Sequence, residues 1–339
     1  MTEMSPRFSR LRASRSTFLI RPAAAAAVAA LTVAMAACGT SSSAATAKAA
    51  GPEKRDIVVA AVAGEGAGGL YIAQDEGLFA KAGLHVTIQT VTSSSTVIPA
   101  MLHGSVDVSS GQYTSYFAVD AAGAAQLRIL AAGYALGPHV QEIVVPGHSA
   151  ITSPAGLKGK TIAVNAPNSE TTDLLYTALA PYGITPAQVH TVVIPFPAMP
   201  VALAAGHVDA AFLIEPFITE AVKQHGVREL ADIDTGASAS IPISGYAVLA
   251  SWEKKYPRTA AAFATAIKEG NRIAATNLTA LQKAFQVQLH LSRQITGVMA
   301  TGSFPTSASP VQLQRVADLM LRFGQLKHQF PAKSIISAG

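Results

Sequence analysis

Ala100-Met101-Leu102-His103-Gly104-Ser105-Val106-Asp107-Val108 is echoed by Ala202-Leu203-Ala204-Ala205-Gly206-His207-Val208-Asp209-Ala210, matching in residue type and spacing. Each stretch reads as the end of a helix, a glycine that takes the left-handed conformation closing it, and a short strand entered through Val-Asp. The echo falls at the same place in two successive β-α-β-α-β runs. Alternation of that kind specifies α/β architecture with parallel sheets, here duplicated.

Working outward, the first run opens with a buried-strand pattern over Asp56–Ala63, carried by Ile57, Val58, Val59 and Val62. A glycine-rich turn (Gly64–Gly69), helical segments over Leu70–Ala82 and an alternating strand at His85–Val91 follow. The hydroxyl-rich loop Thr92–Thr96 leads into a helix with Val97, Ile98, Met101 and Leu102 on one face. Strands are predicted at Val106–Val108 and Leu127–Ala131. The second run has strands at Lys160–Val164, Val189–Ile194 and Val208–Leu213. Between them lie a polar loop, Asn165–Thr172, a helix carrying Leu174, Leu175, Ala178 and Leu179, and a helix at Pro200–Ala205. Gly245–Ser251 reads as a returning strand. Helices dominate thereafter: Pro257–Asn277, Thr279–Leu291 and Pro310–Phe323, with prolines suited to first-turn positions.

The chain has 339 residues, 50% hydrophobic and 13% charged, enough apolar matter for one or two globular domains. Five arginines against one glutamate in residues 1–37 account for four of the five net positive charges. No basic stripe remains for nucleic acid. The single cysteine excludes an internal disulfide and a multi-cysteine zinc site. The nine histidines form no His-x-His or His-x-x-x-His pair, so no metal is expected. No Gly-x-Ser-x-Gly elbow points to a hydrolase. The expectation is a non-enzymatic protein without a cofactor.

Residues 1–37 read as a signal peptide: a basic region to Arg21, then the alanine-dominated run Ala23–Ala37, too short to span a bilayer comfortably. Ala34-Met35-Ala36-Ala37-Cys38-Gly39 resembles a bacterial lipobox, with Met35 where leucine is usual. The resemblance implies lipidation of Cys38 and anchoring to the outer face of the cell membrane or the periplasmic side. Residues 38–53, rich in Gly, Ser, Thr and Ala, read as a flexible tether reaching roughly 20–25 Å.

Over most of the remaining chain the order of motifs resembles the substrate-binding proteins of ABC importers for nitrate, sulfonates, taurine and thiamine precursors. The resemblance is carried by Gly69-Leu70-Tyr71-Ile72-Ala73-Gln74-Asp75-Glu76-Gly77-Leu78-Phe79 and Lys81-Ala82-Gly83-Leu84-His85-Val86. Leu157-Lys158-Gly159-Lys160-Thr161-Ile162-Ala163-Val164, Ala204–Ala210, Glu215-Pro216 and Tyr256-Pro257 continue it. It implies a two-lobed periplasmic-binding-protein-like fold of type II, with two chain crossings and a ligand cleft between the lobes. Lobe 1 would comprise 54–146 and 241–339, and lobe 2 would comprise 147–240. Crossings are expected near Val144–Gly147 and Ile241–Gly245. The implied partners are an ABC permease and its ATPase, served by a monomer that delivers a small organic solute, sulfonate- or taurine-like or thiamine-precursor-like.

Ligands of open α/β sheets sit beyond the carboxyl ends of the strands. The candidate ligand-binding residues there are Glu65, Gly66, Ser93, Ser94, Ser95, Thr96, Gln112, Tyr113 and Tyr134 in the first unit. Asn165, Asn168, Ser169, Thr171, Thr172 and Glu215 are their counterparts in the second. The hydroxyl clusters precede helices and serve equally well as helix caps. The tyrosines suit either a planar solute or the core. No Arg or Lys lies in these loops, whereas Glu65 and Glu215 suit a solute with N–H or cationic groups; the expected ligand is neutral, zwitterionic or heteroaromatic. One competing motif is Gly64-Glu65-Gly66-Ala67-Gly68-Gly69, which satisfies Gly-x-Gly-x-x-Gly and would fit an NAD(P)-dependent oxidoreductase. That reading needs an acidic residue at the end of the second strand, and no Asp or Glu occurs between Gly77 and Val106.

Overall fold

The computed structural model describes residues 51–338, apart from Thr92, Ser93 and the side chain of Ser95. The signal segment, Cys38 and nearly all of the expected tether lie outside the described residues. Among the described residues no helix is long and apolar enough to cross a membrane.

The strands are β1 (Asp56–Val62), β2 (His85–Val91), β3 (Val108–Gln112), β4 (Leu127–Ala135), β5 (Gln141–Pro146), β6 (Thr161–Val164), β7 (His190–Val193), β8 (Ala210–Ile214), β9 (Val227–Asp232) and β10 (Pro242–Leu249). They form two five-stranded sheets of order β2-β1-β3-β10-β4 and β7-β6-β8-β5-β9. In each, three parallel strands are followed by an antiparallel one and then an edge strand. The antiparallel member is the strand that arrives from the other sheet.

The nine-residue echo is repeated atom by atom. The Asp107 N–H donates to the Val58 carbonyl at 2.9 Å, and the Val58 N–H donates back to the Asp107 carboxylate at 3.0 Å. Asp209 and Thr161 exchange the same two bonds, each at 2.9 Å. The aspartate after each glycine cap therefore completes the ladder where β3 or β8 enters the sheet.

The chain crosses between sheets at 136–140 and again at 233–241, earlier than expected in both cases. Gln141–Pro146 lies in the second sheet between β8 and β9, not at the end of the first. Its apolar run, Ile143-Val144-Val145, identifies a buried strand but carries no information about which sheet receives it.

Each sheet buries its own apolar layer. Ile57, Val59, Leu70, Phe79, Tyr246, Phe263 and Ile267 pack together on the first, and Val144, Met199, Leu203 and Leu213 on the second. A larger cluster includes residues of both sheets. Each such side chain contributes roughly 1.5–3 kcal/mol on burial. Helix Gly68–Asp75 packs closely on helix Pro257–Thr276. A Cβ on Gly69 would fall 1.8 Å from Asn271 Oδ1, and one on Gly270 would fall 2.2 Å from the Gly69 carbonyl. The amino end of Pro257–Thr276 is satisfied by Glu53, which accepts from the Arg258 and Thr259 N–H groups at 3.2 and 2.9 Å. The last expected tether residue therefore sits on the folded body.

Candidate functional site

The carboxyl ends of the parallel strands β1, β3, β6 and β8 border one cavity, into which the amino ends of the antiparallel β5 and β10 also open. Its polar lining comes from both sheets: Glu65, Gln112, Tyr134 and Ser244 from the first, and Gln141, Asn165, Glu170 and Thr171 from the second. Phe196, Ile214 and Ile243 supply apolar wall. The centres of water-sized groups can occupy about 70 Å³ of it.

Glu65 stands in the 3-10 turn Glu65–Ala67 immediately beyond β1. Its Oε1 accepts the Tyr134 hydroxyl at 2.5 Å, and that hydroxyl in turn accepts the Gly302 N–H at 2.9 Å. Its Oε2 is buried without a partner among the described residues. Burial raises its pKa well above the usual carboxylate range, and the Glu215 charge adds to this against the Tyr134 and Gly302 hydrogen bonds. Across the cavity, Glu170 opens helix Glu170–Leu179. Burial pushes its carboxyl up to about 7, although the Gln141 side chain hydrogen-bonds to it. Asp173, one turn on, is pushed to about 8 by burial and then by the Glu170 charge, opposed by a bond from Gln325.

Of the residues expected from sequence, Glu65, Gly66, Gln112, Tyr134, Asn165 and Thr171 line the cavity. Thr171 donates to Asn165 Oδ1 at 2.5 Å, fixing that amide. The other expected residues whose side chains are described lie away from the lining. Ser94 is buried and ties Gln112 and Ser115 together at 2.5 and 3.1 Å. Ser169 and Thr172 form a capping box on helix Glu170–Leu179. Asn168 is exposed with φ 48°, and Thr96 is exposed. Tyr113 packs against Phe117 and edge-on to Tyr116, its hydroxyl bonded to the Gly133 backbone. Glu215 faces elsewhere: its carboxylate accepts the Thr219 N–H and hydroxyl at 3.1 and 2.8 Å and the Ala300 N–H at 3.1 Å. Ser93 and the Ser95 side chain lie outside the described residues.

Sequence reasoning missed Gln141, Glu170 and Ser244. Gln141 and Ser244 belong to antiparallel strands, whose amino ends meet the carboxyl ends of their neighbours. Glu170 was legible as the one carboxylate inside the polar loop Asn165–Thr172. The Gly64–Gly69 motif has a packing explanation as well: a Cβ on Gly68 would lie 2.7 Å from Leu281, and Gly69 meets Asn271.

A second titratable group lies at the first crossing. His139, Glu142 and Glu229 bring one donor atom each within 4.8 Å of one another. The His139 Nδ1 is 3.3 Å from Glu142, 3.2 Å from Glu229 and 3.9 Å from Asp232. Burial raises the Glu142 pKa and the Glu229 charge adds to it. Desolvation pulls His139 down, but the Asp232, Glu229 and Glu142 carboxylates outweigh it and hold the imidazole above its ordinary value.

Solved structures share this fold at low identity. The alkanesulfonate-binding protein SsuA from Xanthomonas axonopodis pv. citri, bound to MOPS, is 18% identical with a TM-score of 0.70, covering 84% of this chain and 99% of that one. The periplasmic nitrate-binding protein NrtA from Synechocystis is 17% identical with a TM-score of 0.71, covering 84% and 86%. The ligand-binding component of an ABC-type import system from Staphylococcus aureus, with zinc bound, is 13% identical with a TM-score of 0.72, covering 84% and 97%. No curated protein matches the sequence. The family model described as NMT1/THI5 like matches residues 66–277, from the turn after β1 to the end of helix Pro257–Thr276, and the chain belongs to that family.

Proposed function

We propose that this chain is an extracytoplasmic solute-binding protein that captures a small organic solute and delivers it to an ABC permease and its ATPase. The supporting observation is the cavity itself, whose buried polar lining is divided between two sheets joined by two crossings. A ligand held by groups from both sheets favours their closed arrangement, and closure offers a permease a surface that the open form lacks. The structural neighbours include sulfonate- and nitrate-binding proteins and an import component, which supports the same reading. Capture requires no bond making.

Lipidation of Cys38, removal of residues 1–37 and a monomeric state complete the proposal. A tether of this kind keeps a receptor near its permease and raises their effective concentration. Equilibrium dialysis of the purified protein against spent growth medium should enrich one small organic compound, and a strain lacking the chain should lose its uptake. A protein that enriches nothing removes the solute-binding reading. A fatty-acid label that still attaches after Cys38→Ala removes the anchor alone.

A further inference from the structure

Four buried side-chain atoms without hydrogen-bond partners among the described residues belong to residues lining the same cavity: Glu65 Oε2, Gln141 Oε1, Glu170 Oε1 and Ser244 Oγ. The side chains are 3%, 4%, 8% and 9% exposed, so bulk water does not satisfy them. A buried polar atom left unpaired costs about as much as a lost hydrogen bond. Four converging on one space define what that space accepts.

Their chemistry points one way. A carboxylate oxygen and an amide oxygen only accept, and the serine hydroxyl can accept. Glu65 follows β1 of the first sheet and Glu170 follows β6 of the second, so the two carboxylates reach the cavity from different sheets. Among the described residues, no Lys, Arg or His lines the cavity to balance them. A sulfonate or nitrate in this space would bring only acceptors and no donors for these four atoms. The Tyr134 hydroxyl occupies Glu65 Oε1, while Glu65 Oε2 and Glu170 Oε1 have no hydrogen-bond partner among the described residues.

We propose that the solute is a compact organic cation with N–H donors at two ends, of the amidinium, guanidinium or short diamine class, clasped between Glu65 and Glu170. The Gln141 amide oxygen and Ser244 hydroxyl accept its remaining N–H groups. Phe196 and Ile214 cover its apolar part, and the size of the cavity limits it to a few heavy atoms. This inference rests on the solute-binding reading above.

The test is calorimetric titration of the whole protein with acetamidinium, guanidinium and 1,3-diaminopropane, alongside methanesulfonate and nitrate. At least one cation should bind, while the anions should not. Glu65→Gln and Glu170→Gln should each weaken that cation about 10- to 100-fold, as expected for loss of a charge-assisted hydrogen bond. Both variants should keep the wild-type circular dichroism and a cooperative melt. Anion binding, or cation affinity unchanged in both variants, overturns the cation assignment while leaving solute capture in place. No binding by any of the five compounds also overturns it, and the dialysis experiment then decides independently whether solute capture stands.

Discussion

The Tyr134 hydroxyl donates to Glu65 at 2.5 Å while accepting the Gly302 N–H at 2.9 Å. This relay joins the end of β4, the turn after β1 and the segment near 302, and leaves the second Glu65 oxygen, on the cavity lining, without a partner among the described residues. Tyr134→Phe removes both bonds with little change of shape. It should cost about 1–3 kcal/mol of stability in urea unfolding, because Gly302 and Glu65 are left unsatisfied. Ligand affinity should fall in the same variant. Wild-type stability and affinity would show that the relay does not position Glu65.

Binding of a cation should tighten as pH rises from about 5.5 to 8. The Glu170 carboxyl titrates near 7 in the unliganded protein, and Glu65 is held above its ordinary range. A cation favours the ionised form, so below these values it must first displace a proton. The titratable groups around Glu170 are Asp173, itself held up to about 8, and Glu65 in the same cavity. Calorimetry in buffers of different ionisation heat should detect proton release at pH 6 that shrinks by pH 8. Proton uptake would contradict the assignment.

The unliganded protein should lose stability over the same range. Glu142, Glu170 and Asp173 all have folded-state pKa values raised above the unfolded carboxylate range. Their contribution is full below the unfolded value near 4 and is lost as pH rises through the folded values near 7 to 8. The loss runs from the unfolded value up to the folded ones, because over that interval the folded state binds more protons than the unfolded chain. Melting temperature should therefore fall from pH 5 to pH 8. Glu142→Gln should flatten that fall by removing one buried charge near Glu229. A melting temperature that climbs over this range in the wild type would refute the account of the carboxylates.

Gly69→Ala should destabilise the protein by about 1–3 kcal/mol, since the new methyl would lie on Asn271 Oδ1, whose amide also donates to the Ala132 and Pro305 carbonyls. Added NADH should raise the melting temperature of neither form. Stabilisation by NADH that the substitution abolishes would restore the dinucleotide reading of Gly64–Gly69.

Much of this architecture was legible in sequence because it is written locally. Asp107 and Asp209 lie at the same offset from glycine caps and form the same pair of bonds to β1 and β6. β5 and β9 were not legible, because a short apolar run identifies a strand without naming its sheet, and the crossings moved with them. The site divided along the same line. Glu65 and Asn165 follow parallel strands and were found by position. Gln141 and Ser244 enter from antiparallel strands whose placement depends on tertiary pairing. Glu215 stood in a strand-end loop as expected, yet Thr219 and Ala300 occupy its carboxylate.

Native mass spectrometry of the protein drawn directly from its own cells tests the central claim most directly. The account predicts a single small organic molecule bound one to one, cationic, retained by the wild type and lost from the Glu65→Gln, Glu170→Gln double variant. A wild-type protein that carries no small molecule, both as isolated and after incubation with its growth medium, would contradict it.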